Sequence, residues 1–367
     1  MALTDPRPWL DKLEKLVNPK HVAESQRLQE ECWNGKKVPR IPLLLSSQDD
    51  MSKERSHFSD WPLYRLEETQ KDMAKMLLCE LMPAYEGALI GDDKMYTIRA
   101  NYGVGIIPSL FGCKVHQEGD EYPWVDPLET AEEIKAAVKK GAPSLNQGLM
   151  PRVIETQDYY KQMLAAYPNL SQTVHIALCD VQGPFNLAFE LLGSRLFTDV
   201  MDDPQLARDV LKLTTETYIA VAKKEKELIG EPPDSGWHYQ YRLKGGVRVC
   251  EDNALSISPR MYVEFCREVN EGVFAAFGGG YFLVCGSFAH VQNALLDTRG
   301  LRGLCYWSDK KGEFLDVWRA CRQRGVCLLW YGLPAEKDRE QVDTGAVIKV
   351  KVGSVEEGRR IMKEWGA

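Results

Sequence analysis

Short apolar runs alternate along this chain with longer stretches whose hydrophobic positions recur every 3.6 residues. Val38 to Ser46 (VPRIPLLLS) has prolines at its entrance and polar residues at its exit, which predicts a first strand. Val174 to Asp180 (VHIALCD) predicts another, leading into the turn Gln182-Gly183-Pro184 and a helix with Phe185, Leu187, Phe189, Leu191 and Leu192. Asp203-Pro204 then opens a long amphipathic helix, through Leu206, Val210, Leu211 and Leu213, that Gly230 stops. The last third is the most regular. Strands are predicted at 247–253, 281–285, 303–308 and 326–331, each followed by a helical pattern, and at 346–352 before the capping box Ser354 to Glu357.

The remaining stretches are less periodic. Residues 86–93 and 97–108 read as short strands with glycine turns, and Asp126-Pro127 as the N-cap of a helix ended by Gly141. Residues 47–80 read either as a surface excursion or as a lid. Strand-then-helix units of roughly 30 residues imply parallel strands with right-handed crossovers. No GxGxxG or GxxxxGK[ST] follows a strand, so a nucleotide cofactor is not expected. The expected fold is therefore α/β: a single (β/α)8 TIM barrel at 38–367, behind an N-terminal helical extension at 1–37.

Composition narrows the partners more than the chemistry. The net charge is −7, and no basic run interleaves with aromatics, which argues against nucleic acid. No apolar window is long enough for a membrane span. Ten cysteines are scattered without a CxxC pair, and the N-terminus lacks a signal-like apolar core, so a cytoplasmic protein with reduced thiols is expected.

Candidate chemistry follows from the tips of the predicted strands, where barrel enzymes carry their sites. Cys285 ends one strand, and His290 lies just into the next helical pattern. Glu251 and Asp252 end another, and adjacent strand residues point to opposite faces, so one of the two is expected to face inward. Asp180 and Gln182 leave a third. Trp330 and Tyr331 suit an apolar floor for a flat ligand, and Asp309 is a weaker candidate. His238, Tyr239 and Arg242 occupy a connecting loop, read as a substrate wall or a solvated crossover. Asn101 and Tyr102 lie in a glycine-flanked loop, where polar residues commonly cap turns.

Three segments carry a resemblance. CDVQGPFNLAFELLG, EDNALSISPRMYVEFC and LVCGSFAHVQNALLD resemble, in order, segments of the uroporphyrinogen decarboxylase superfamily. The resemblance implies a TIM barrel over about residues 38–365 and two chemistries. The decarboxylases hold substrate carboxylates with an arginine-bearing R-Q-A-G-R-Y motif. Here LLLSSQDDMSKERSH places Asp49 and Asp50 in that position, with Arg55 the one nearby arginine. The cobamide-dependent methyltransferases use an H-x-C zinc site. Here Leu283 replaces the histidine, leaving Cys285, His290 and Glu251 as a tentative ligand set for zinc. The leading expectation is methyl transfer involving a corrinoid protein or a small methylated substrate. A metal-free tetrapyrrole-type decarboxylase and a catalytically silent tetrapyrrole- or corrinoid-binding homologue are the alternatives. A homodimer is a further expectation.

Overall fold

The computed structural model describes residues 4–47, 60–286, 288–307 and 313–366. Asp49, Asp50, Arg55 and Asp309 lie outside them. Two helices come first, α1 (Arg7–Leu16) and α2 (Pro19–Trp33), the second opened by Asn18, whose side chain accepts from the Lys20 and His21 amides. Strand β1 (Leu43–Ser47) follows, then the long helix α3 (Met73–Ile90).

Residues 86–90 therefore continue a helix, not the short strand their glycines suggest. Asp72 caps its start and Gly91, in the left-handed region at φ 80°, ends it. Gly87 serves close packing. A Cβ there would lie 2.9 Å from the Lys94 stem and the Tyr96 ring. The helix at Ala131–Lys140 likewise begins later than Asp126-Pro127 suggests, because Thr130 and Glu133 form a reciprocal capping box.

The other parallel strands are β2 (Tyr96–Ile98), β3 (Val174–Ile176), β4 (Val247–Cys250), β5 (Gly280–Cys285), β6 (Leu301–Trp307), β7 (Cys327–Tyr331) and β8 (Ala346–Val352). Six of them form one parallel sheet in the order β1-β8-β7-β6-β5-β4, and β2 pairs with β3. The first strand thus lies beside the last, Leu43 opposite Ile348 and Ser47 opposite Val352.

No backbone ladder joins β1 to β2 or β3 to β4 among the described residues. Side chains span both intervals. Asp92 accepts from the Leu45 amide at 2.6 Å, Asp93 from the Leu43 amide at 2.9 Å, and the Lys94 ammonium donates to the Leu45 carbonyl. Across the other interval, Arg248 of β4 pairs with Asp180, which follows β3.

Strand alternation sorts one face into an apolar cluster of Leu44, Tyr281, Cys305, Cys327, Leu329 and Val347. A β-hairpin, Ser235–His238 with Tyr241–Lys244, adds Tyr241 and Leu243 to this cluster, and α2 adds Trp33. These contacts fall on the N-terminal ends of the strands. The Gln240 carbonyl, at the hairpin tip, accepts from the Met95 amide at 3.0 Å and from Gln29 of α2 at 3.2 Å. The hairpin covers these strand ends like a plug, and α2 backs it.

The fit is close at Gly303, where a Cβ would meet the Trp33 ring at 2.3 Å. Gly303→Ala is expected to cost about 1–3 kcal/mol by overpacking. A urea midpoint indistinguishable from that of the unsubstituted chain would show that Trp33 is not seated there.

Candidate active site

Asp180 is the centre of the polar interior. Its carboxylate pairs with Arg248 and, at 3.3 Å, with Arg99, which follows β2. Gln182 donates to it at 2.6 Å and accepts in turn from Asn186 at 3.0 Å. Desolvation favours the neutral acid, but the two guanidiniums outweigh it and hold Asp180 below the ordinary carboxylate range.

Among the described residues, two non-glycine residues have positive φ, Gln182 at 47° and Tyr239 at 49°. Both border this cluster: Gln182 binds Asp180, and the Tyr239 ring lies 5.3 Å from the Arg99 guanidinium carbon. Strained backbone of this kind persists where surrounding structure over-determines it, and it concentrates at functional sites.

The hairpin delivers the rest of the floor. His238 is buried, its Nδ1 2.7 Å from the Tyr281 hydroxyl. Burial, reinforced by Arg248 and Arg99, pushes the imidazole well below its usual pKa and keeps it neutral. Loop residues 235–244 are therefore interior structure and not a solvated crossover. Arg242 is the exception. It turns outward to Glu30 at 2.9 Å and stacks on Trp237, so it braces the plug away from the mouth.

At the upper rim, Asp252 accepts from the Cys285 amide at 2.7 Å and from the Cys250 thiol at 3.5 Å. Cys285 is exposed; desolvation, then Asp252, raise its thiol to about 11. Of the adjacent acids, Glu251 turns the other way. It is fully buried and accepts from the Phe185 and Asn186 amides at 3.2 and 3.0 Å, at the N-terminus of α4 (Pro184–Leu192). Gly183 permits this approach, since a Cβ there would sit 2.5 Å from the Cys250 carbonyl.

The expected zinc set is consequently not assembled. Glu251 caps a helix, and His290, exposed, bonds the Ile257 carbonyl at 3.3 Å. Among the described residues no three His, Cys, Asp or Glu side chains converge as a metal would require. The residues present do not fit that zinc site.

Other candidates are also redirected. Trp330 packs under a helix against Phe314 and Tyr306, because it and Tyr331 point to opposite faces of β7. Tyr331 faces inward, with the Lys349 ammonium 5.3 Å from its ring. Asn101 donates to Glu80 at 2.9 Å, and the buried Tyr102 hydroxyl meets Thr156 at 2.7 Å; both are structural contacts. Sequence reasoning missed Arg99, Arg248, Tyr281 and Lys349. The signal for Arg248 and Lys349 is a charged residue on the alternate positions of an otherwise apolar strand.

Burial pushes Glu251 up to about 8, against the pull of the Phe185 and Asn186 amides. A buried acid raised this way keeps its proton while the unfolded chain, near the ordinary 4.5, loses it. Stability should therefore fall as pH rises from about 4.5 to about 8. Glu251→Gln should flatten that decline in urea midpoints taken at both ends of the window. An unchanged slope would assign the pH dependence elsewhere.

The fold matches that of a solved structure. Over 93% of this chain and 98% of the other, it is similar to a methyltransferase from Methanosarcina mazei, with a TM-score of 0.63 and 15% sequence identity. At that identity the likeness speaks for the fold. No protein-family model matches the chain, and no curated protein matches it by sequence. No helix among the described residues is long and apolar enough to cross a membrane.

Proposed function

We propose that the eight parallel strands close into a (β/α)8 barrel and that the chain is a methyltransferase acting at its carboxyl-end mouth. The observation that carries this reading is the convergence on Asp180 of two guanidiniums and both strained non-glycine residues, in a methyltransferase-like fold. A flat methylated substrate would lie against Tyr239, Tyr281 and Tyr331, below the rim formed by Asp252 and Cys285. The methyl acceptor would be a corrinoid presented by a partner protein at the open mouth.

Methyl transfer leaves the substrate's heteroatom with the bonding electron pair, so that atom needs a proton or a hydrogen bond. Cys285, whose thiol is raised to about 11 with Asp252 beside it, suits a donor better than an attacking thiolate. Asp252 holds the Cys285 backbone in place for that role. No step is assigned to zinc.

The test supplies para-methoxybenzoate and free cob(I)alamin to the purified chain and follows formation of the cobalt–methyl bond by absorbance. Transfer is expected, and Cys285→Ala should slow it about tenfold to a hundredfold. Unaltered turnover in Cys285→Ala would remove the donor role. A second reading, metal-free decarboxylation, is favoured by the paired guanidiniums. Carbon dioxide release without cobalt methylation would select it.

A further inference from the structure

Among the buried polar atoms of the barrel floor that have no hydrogen-bond partner among the described residues are Nε of Arg248 and Nε2 of His238. The two residues are 3% and 4% exposed, so water from the surface does not serve them freely. Leaving a buried donor unmet is costly, and more so when it is charged. Such a cost is sustained where something else supplies the acceptor.

Arg248 is always protonated at Nε. His238 Nε2 is a donor in the tautomer whose Nδ1 accepts from the Tyr281 hydroxyl, 2.7 Å away. The rest of each side chain is already fixed, Arg248 by Asp180 and His238 by Tyr281. Asp180 does not consume the free donors, since its oxygens are occupied by Arg99, Arg248 and Gln182.

The charge balance points the same way. Arg99 and Arg248 share one carboxylate. The nearby Glu80 is engaged behind Arg99, accepting from its backbone amide at 3.2 Å and from Asn101. Desolvation raises Glu80 despite the Arg99 charge. Lys349 stands across the interior at Tyr331. Two guanidiniums against one carboxylate suit a planar monoanion better than a phosphate dianion.

We propose that Arg248 Nε, His238 Nε2 and the Arg99 guanidinium form a subsite for the substrate's carboxylate, with the strained plug tip at Tyr239 setting the floor beneath it. The hairpin would then be a specificity element as well as a seal. This deepens the reading of the mouth as an active site and is tested by binding, without turnover.

The purified full chain is titrated calorimetrically with benzoate, benzamide and inorganic phosphate. Benzoate should bind saturably, and the other two at least about tenfold more weakly, because benzamide carries no charge and phosphate no planar pair of oxygens. Arg248→Lys, which keeps the charge beside Asp180 but loses Nε, should weaken benzoate about tenfold. His238→Phe should do the same, while His238→Gln, which retains a donor, should restore most of the affinity. If Arg248→Lys does not fold, the histidine pair carries the test alone. Benzamide binding as tightly as benzoate, or wild-type affinity in His238→Phe, would overturn the subsite. Benzoate binding with neither methyl transfer nor decarboxylation sinks the proposed function and leaves the subsite standing. Methyl transfer by a chain that does not bind benzoate does the reverse.

Discussion

Asp180→Asn should lower stability by about 3–5 kcal/mol and reduce turnover at least about a hundredfold. The substitution keeps the shape and an acceptor for Gln182, but it leaves Arg99 and Arg248 facing each other without a counter-charge. Arg248 cannot turn to water, because only 2% of its side chain is exposed. Breaking one partner of a buried ion pair strands the other, which is why this loss exceeds the net worth of the pair. The effect has a pH signature with a definite sign. Asp180 is held below the ordinary range in the folded chain, so its contribution is complete above the unfolded value near 4 and is lost as pH falls below it. The unsubstituted chain should lose stability steeply on acidification below about pH 4, and Asp180→Asn less steeply. Urea midpoints at neutral and acid pH check both parts. A neutral-pH difference below about 0.5 kcal/mol would mean the cluster is solvated and not the built centre described above.

Much of the fold was legible because strands and helices alternate with different hydrophobic periods. The parallel order of β4 to β8 follows from the regular last third, whose strands lie near the expected stretches. The one expected at 247–253 ends at Cys250, however, and 346–352, which alternates like an edge strand, lies between β1 and β7. The site was legible only where a strand ends in a charge. Alternation along VRVCED puts Arg248, Cys250 and Asp252 on one face and Glu251 on the other, and it could have named Arg248 as an interior cation. What it could not give is the destination of Glu251. That depends on Gly183 letting α4 close on the strand tip, a contact between segments more than 60 residues apart. The plug is a similar case. EPPDSGWHYQYRLKGG has the composition of a surface connection, and its burial arises because α2 and the strand ends leave an opening of its size. Trp330 was misjudged for a simpler reason. Its position one residue before Tyr331 already assigned it to the opposite face.

The interval between β1 and β2 supports the second large effect, since side chains there replace a missing ladder. Asp92→Ala should cost about 3–5 kcal/mol. Asp92 is 1% exposed, and desolvation raises its pKa against the pull of Lys94, 3.4 Å away. Removing it strands the buried Lys94 ammonium and leaves the Leu45 amide without its acceptor. Lys94→Met alone should cost comparably, because the Asp92 charge is then uncompensated. The double substitution Asp92→Leu with Lys94→Met removes both desolvated charges and should recover much of the loss. Activity should follow stability in the single variants, because the Asp92 and Lys94 bonds hold β1 beside the segment that leads into β2 and Arg99. A double variant no more stable than either single one would locate the closure of this interval in the Arg40–Asp93 pair instead.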